Sequence, residues 1–93
     1  MSLQFEWDEK KSRQNRKKHG VSFEEASTVF HDPLALTIPD PLHSLEEDRY
    51  ITLGESERLR LLVVVFTDRG ERIRIISARV ANRRERNDYE EAR

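Results

Sequence analysis

The chain of 93 residues has no cysteine, which excludes a disulfide framework and any thiolate metal site. Long apolar runs are also missing: the longest, Leu61 to Phe66, is far too short to cross a bilayer as a helix. The start, "MSLQFEWDEKK", has no apolar stretch ahead of its first charges, so no signal peptide and a cytoplasmic location are expected. His19, His31 and His43 offer no pair at the close helical spacing of a zinc site, so neither metal nor cofactor is expected. Repeats and linkers are absent too, and residues 1–93 are expected to form one domain. Net charge is nearly absent, at -1, which by itself argues for no charged partner.

That near-zero sum hides a segregation. Lys10 to Lys18 carries six basic residues and no acid. Asp32 to Glu57 sets seven acids against Arg49 alone. Arg58 to Arg86 then gathers nine arginines against Asp68, Glu71 and Glu85. Two basic blocks flanking an acidic one form a polyanion-binding surface if the fold brings them together. The plain alternative is solvated charge on a small protein, because most charge runs are simply exposed.

Local patterning places these blocks on elements. Gln4 to Trp7 reads as a short strand, and Asp8 is a good N-cap for a helix that contains no apolar residue before "KHG", where Gly20 serves as C-cap. "SFEE" at Ser22 to Glu25 is a capping box, with Val21 and Ala26 as its hydrophobic staple. Phe23, Ala26, Val29 and Phe30 give the second helix one apolar face, and Asp32-Pro33 ends it. "LALTI", "RYITLGES" and "RLLVVVFT" read as strands, the last as a central one covered on both faces. "DRGE" is a hairpin turn leading to a strand over Arg72 to Val80. Asn82 with Glu85 repeats the capping-box logic and opens a terminal helix. The expected fold is α+β: two N-terminal helices, an antiparallel sheet of about four strands, and a C-terminal helix.

Chemistry concentrates where the last strand meets the last helix. Period-2 alternation puts Ile73, Ile75, Ser77 and Arg79 on one face and Arg72 and Arg74 on the other. A strand-end arginine suits a phosphate, since its fork makes two parallel charge-assisted hydrogen bonds. The structural alternative is an Arg79 paired with Glu85 or capping the sheet edge. On the first helix, Trp7, Lys11, Asn15 and Lys18 are spaced four, four and three, which aligns them on one face. An indole, an amide and two ammonium groups fit a nucleic acid, although a tryptophan is more often a core anchor. His19, beside Lys18 at the helix C-terminus, is a candidate proton donor or simply a capping residue.

The stretches "FEWDEKKSRQNRKKHGVSFEEA", "FHDP", "LGES" and "IRIISARVANRRERNDYEE" together resemble the BrnT family of toxins from bacterial type II toxin–antitoxin systems. The resemblance runs from Phe5 to about Glu91, and "KHGVSFEEA" and "RIISAR" followed by "RRE" are its most specific parts. It implies a RelE-like fold and a metal-independent ribonuclease that inhibits translation. It also implies a DNA-binding antitoxin that neutralises the toxin, in a complex expected to hold two copies of each; DNA is contacted only through that partner. The matching polar positions are Trp7, Lys11, Asn15, Lys18, His19, Arg79, Arg84, Glu85 and Tyr89.

Chemical roles follow from what metal-free cleavage needs. The ribose 2′-hydroxyl is the nucleophile, so the site requires a base, cations for the developing phosphorane charge, and an acid for the leaving oxygen. Arg79 is the expected charge clamp, with Lys18 or Lys11 assisting, Glu85 as base or orienter, and His19 or Tyr89 as proton donor. Trp7, Lys11, Asn15, Arg72, Arg74 and Arg84 are expected to bind RNA. A rival expectation from another class is a non-catalytic nucleic-acid-binding or regulatory module. A third is an interaction subunit whose arginines meet an acidic partner.

Overall fold

Helix ends are set by short-range hydrogen bonds. The Asp8 carboxylate accepts from the N–H groups of Lys10 at 2.8 Å and Lys11 at 3.3 Å, which starts α1 (Glu9–His19). These two bonds, Lys11 first, hold the Asp8 carboxyl below its ordinary range. Gly20 closes α1 in the left-handed region at φ 71°, a conformation that needs a residue without Cβ, and its N–H reaches the Arg16 carbonyl at 2.8 Å. A computed structural model describes residues 3–42 and 48–92 of the chain.

Ser22 caps α2 (Phe23–Ser27) by accepting from the Glu25 N–H at 3.0 Å. Only half of the expected capping box forms, because the Glu25 side chain turns to Arg60 instead. The predicted second helix is also shorter than its apolar spacing suggests, and continues as a 3-10 turn over Thr28–His31. Tight packing accompanies the change. A Cβ on Gly54 would lie 3.1 Å from the Ala35 Cβ and 3.3 Å from the Val29 carbonyl oxygen, so this turn lies directly on a bare strand position.

The strands are β1 (Gln4–Glu6), β2 (Leu36–Pro39), β3 (Arg49–Glu55), β4 (Leu61–Asp68) and β5 (Arg72–Val80), followed by α3 (Arg83–Glu91). Among the described residues they form one five-stranded sheet in the order β1-β5-β4-β3-β2. The expected antiparallel sheet of about four strands is corrected at one edge, where β1 joins β5 in parallel through Phe5 opposite Ile73. Such a pair joins the two ends of the chain, and nothing in the local sequence announces it. β2 begins two residues later than the "LALTI" reading. "DRGE" forms the expected turn, with the Arg69 N–H donating to the Arg72 carbonyl at 2.9 Å.

One face of the sheet carries the core. Val21, Phe23, Ala26 and Val29 pack on Leu62, Val64, Ile75 and Ala78, all fully or almost fully buried, with Phe5, Trp7 and Phe30 around them. Burial of each large side chain contributes about 1.5–3 kcal/mol. The other face of the sheet is left for something else.

Candidate active site

The open face is built by register. Leu36, Leu53, Val63 and Arg79 form one row across four strands, and Ile38, Ile51, Val65 and Ser77 form the next. Arg49, Thr67 and Arg74 continue the series. Each row is therefore apolar across β3 and β4 or ends polar at β5, where Arg79, Ser77 and Arg74 stand. The first row, with Ile38 and Ile51 of the second, floors a groove of about 340 Å³ whose remaining walls are Glu85 and Asp88 of α3. Arg79 heads it.

This arrangement depends on an irregularity. Val65 pairs with Ser77 and Phe66 with Ile75, so Ile76 is an extra residue, a β-bulge in β5. Strict alternation is broken at that point. Ile75 and Ala78 consequently both face the core, and Arg74, Ser77 and Arg79 share the open face. The expectation that Arg72 and Arg74 lie opposite Arg79 is corrected: the inserted residue reverses the parity between positions 75 and 77. Two successive isoleucines at 75 and 76, in a strand otherwise alternating, are the only sequence trace of it.

Arg79 and Glu85 meet fork to fork. Nη1 donates to Oε1 at 2.8 Å and Nη2 to Oε2 at 2.7 Å. Glu85 also accepts from the Asn82 N–H at 2.9 Å while Asn82 caps the Glu85 N–H at 2.8 Å, so the predicted capping box of α3 is complete. The Arg79 hydrogen bonds, with the Asn82 N–H behind them, hold the Glu85 carboxyl below its ordinary value and raise the Arg79 guanidinium. A carboxylate held ionised in this way is a weak base and a good orienter. Tyr89, one turn further along α3, is buried, and its hydroxyl donates to Asp32 Oδ2 at 2.6 Å. The same Asp32 oxygen accepts from the Glu55 N–H at 2.8 Å, so Tyr89 ties α3 to β3 through the 3-10 turn's end. This bond anchors the helix that carries Glu85.

A second cluster lies where α1 runs along β5. Lys11, Gln14, Asn15, Lys18 and His19 line a hollow with Ile76 and Ser77. Asn15 is buried there, and its amide is committed to main chain. Its Nδ2 donates to the carbonyls of Ala78 at 2.8 Å and Val21 at 2.9 Å, and its Oδ1 accepts from the Ala78 N–H at 3.2 Å. The side chain thus acts like a short strand, pairing a stretch of β5 edge beyond the reach of β1. Lys11 and Lys18 remain exposed, and neither makes an ion pair among the described residues.

Other predicted positions are placed as follows. Trp7 packs edge-on against Phe23 at a centroid distance of 6.2 Å, and its indole N–H donates to Glu9 at 3.0 Å, so it works as a core margin. Arg74 pairs with Glu6 at 3.0 Å, and Arg72 approaches the same carboxylate at 3.8 Å. Arg84 is exposed on the first turn of α3. His43 and the acids at 46 and 47 lie outside the described residues, while Asp40, within the acidic block, is buried.

Sequence reasoning missed the network around Glu25. Arg60 donates to both of its carboxylate oxygens, and the Ser56 hydroxyl donates to Oε2 at 2.7 Å. Arg60 also reaches the Gly20 carbonyl at 3.0 Å. Arg60 is the first cause, and Ser56 a further one, of a Glu25 carboxyl held below its ordinary range. "KHGVSFEEA" and "LGES" are thereby joined through one buried carboxylate. Glutamate in a capping-box pattern offers no signal for such a long-range pair.

Among solved structures, the 1.1 Å crystal structure of the Brucella abortus ribonuclease toxin BrnT is similar, with a TM-score of 0.68 and 27% identity over 88% of this chain and 100% of that one. No curated protein matches the chain. A family model described as the ribonuclease toxin BrnT of type II toxin–antitoxin systems matches residues 7–85, a span that holds the hollow, the bulge and the Arg79–Glu85 pair. With most of its length matched and its fold shared, this chain belongs to the BrnT family of ribonuclease toxins of type II toxin–antitoxin systems.

Proposed function

We propose that this chain is a RelE-like endoribonuclease that cuts RNA without a metal ion and so inhibits translation in the cytoplasm. Arg79 carries the reading: a two-pronged guanidinium held at the head of a groove, on the face left open by the core. In the reaction, the ribose 2′-oxygen attacks the adjacent phosphorus and the bond to the 5′-oxygen breaks. The products are a 2′,3′-cyclic phosphate and a 5′-hydroxyl. One proton passes from the 2′-hydroxyl to solvent water and one is delivered to the departing oxygen.

Arg79 binds the scissile phosphate through both prongs and stabilises its developing charge. Glu85 holds the fork in place until the phosphate displaces it, acting as a positioning residue. His19, at the C-terminal end of α1, supplies the proton for the leaving oxygen. Tyr89, engaged with Asp32, contributes by fixing α3. Cations do the work that a metal would otherwise do at the phosphate. The single-domain organisation of residues 1–93 belongs to the same reading.

A type II toxin has a cognate antitoxin. In this proposal that partner binds DNA, neutralises the toxin and assembles with it as two copies of each. Inducing the chain alone should halt bacterial growth and shorten transcripts, and co-expression with the antitoxin should restore growth. Purified protein incubated with labelled RNA in EDTA is the direct test. Cleavage to cyclic-phosphate ends supports the proposal. RNA that is retarded yet uncut at every protein level makes the chain a non-catalytic binding module instead.

A further inference from the structure

The hollow between α1 and β5 offers more than a proton donor. Lys11 and Lys18 flank Asn15 by four residues on one side and three on the other, which puts all three on one face of α1. Asn15 is locked to both the N–H and the carbonyl of Ala78, so the rotation of α1 about its axis is fixed with this face against β5. The two ammonium groups are therefore held beside one concavity. No carboxylate lines it, and neither lysine makes an ion pair among the described residues. Arg72 and Arg74, on the same strand, are by contrast tied to Glu6. Two like charges lining one hollow that no carboxylate lines make an anion site, with the Asp8 carboxylate acting on Lys11 from outside it.

Its place along the strand identifies the anion. The bulge at Ile76 puts Ser77 on the open face with Arg79, and Ser77 also lines the hollow. Two residues of strand separate the two positions by about 6.6 Å. That backbone rise is comparable with the spacing of consecutive phosphates along an extended strand. We propose that the hollow formed by Lys11, Lys18, Gln14 and Ser77 is a second phosphate subsite, which holds the phosphodiester next to the one bound by Arg79. RNA then runs along β5 and leaves the sheet over its α1 edge. The proposal rests on the reading of Arg79 as the scissile-phosphate site.

The test uses the whole chain and short 2′-O-methyl oligonucleotides, which bind without being cut. A dinucleotide has one phosphodiester and a trinucleotide two. NMR titration should show the wild-type chain binding the trinucleotide about tenfold more tightly at low salt. Its salt dependence should also be steeper, by a slope of about 0.7 for the added phosphate. Lys11→Ala/Lys18→Ala should bind the dinucleotide as the wild type does and lose the gain on lengthening. Both lysines are exposed, so the melting temperature should hold, and Lys11→Arg/Lys18→Arg should restore the gain. A double alanine variant that keeps the whole step overturns the subsite, as does a wild type that shows no step. Failure of the enzyme reading looks different: the step and its loss persist, but natural RNA stays uncut.

Discussion

Glu25–Arg60 and Glu85–Arg79 are the same chemical pair in two settings. In each, a guanidinium donates to both carboxylate oxygens and pulls the carboxyl below its ordinary value. The Glu25 side chain is only 5% exposed, and Ser56 and Gly20 complete its network. Glu85 is 25% exposed, Arg79 is 42% exposed, and they sit at the head of an open groove. A carboxylate buried among fixed donors cannot be exchanged without leaving charges unpaired in the interior. One facing a groove can be exchanged for a phosphate that offers the same two oxygens. Burial is what separates the two pairs, and the proposed function assigns only the groove pair to phosphate binding.

The largest expected effect breaks the comparison if it fails. Arg79→Ala should lower RNA cleavage by roughly 10²–10³, the loss typical of one transition-state donor. It removes a part-exposed ion pair, so its stability cost should be at most about 1 kcal/mol. Arg79→Lys should recover only part of the rate, because an ammonium cannot make the bidentate contact. Cleavage rates and thermal melting of each variant settle the matter. A fall of many degrees for Arg79→Ala would put both pairs in the same structural class.

Glu25→Ala should do the reverse. Truncating one partner of a buried pair costs about 3–5 kcal/mol, reduced here to about 2–3 kcal/mol because 35% of the Arg60 side chain is exposed to solvent. The melting temperature should drop by roughly 10 °C or more. Cleavage per folded molecule should be retained below that temperature. Replacing both residues, Glu25→Leu with Arg60→Leu, should cost less than the single change, since no buried charge is then left alone.

Acidification sharpens the contrast further. Both carboxyls are lowered from an ordinary value of 4.5 on folding, so each contributes stability that is fully present above that value. That contribution is lost as pH falls through the depressed folded values. Melting temperature should therefore be flat from neutrality to about pH 5 and decline below it. Glu25→Gln should flatten the acid limb more than Glu85→Gln does. An equal response would mean that burial does not distinguish the pairs.

The smallest effect is expected from Glu85→Gln. The amide oxygen can still accept from the Asn82 N–H, which keeps the cap, and the ion pair lost is part-exposed, so stability should change by less than about 1 kcal/mol. With Arg79 no longer neutralised, non-cleavable RNA should bind several-fold more tightly at low salt. Weaker binding would show that Glu85 contacts RNA itself.

Short-range chemistry was legible from residues alone. Asp8, Gly20, Ser22 and Asn82 mark helix ends because a cap is made within a few residues of itself. The β-branched run from Leu61 reads as a central strand because burial on both faces removes alternation. Arg79 and Glu85 stood out through the same local logic, and so did the lysines of α1. Asn15 belongs by its spacing to a polar binding stripe, yet it faces inward, since a polar side chain that pairs with strand edge looks in sequence like one meant for a ligand.

The amino-acid sequence by itself determined the elements, their caps, the segregated charge and the family to which they belong. Those features rest on interactions between residues close in the chain, or on the identity of the residues themselves. Tertiary structure alone decided that β1 would lie parallel to β5, that Glu25 would leave its cap for Arg60, and that Ile76 would bulge. Each of these pairs groups separated by many residues or alters a register by one. The free energy that selects them comes from packing and desolvation across the whole fold, which no local window of sequence contains.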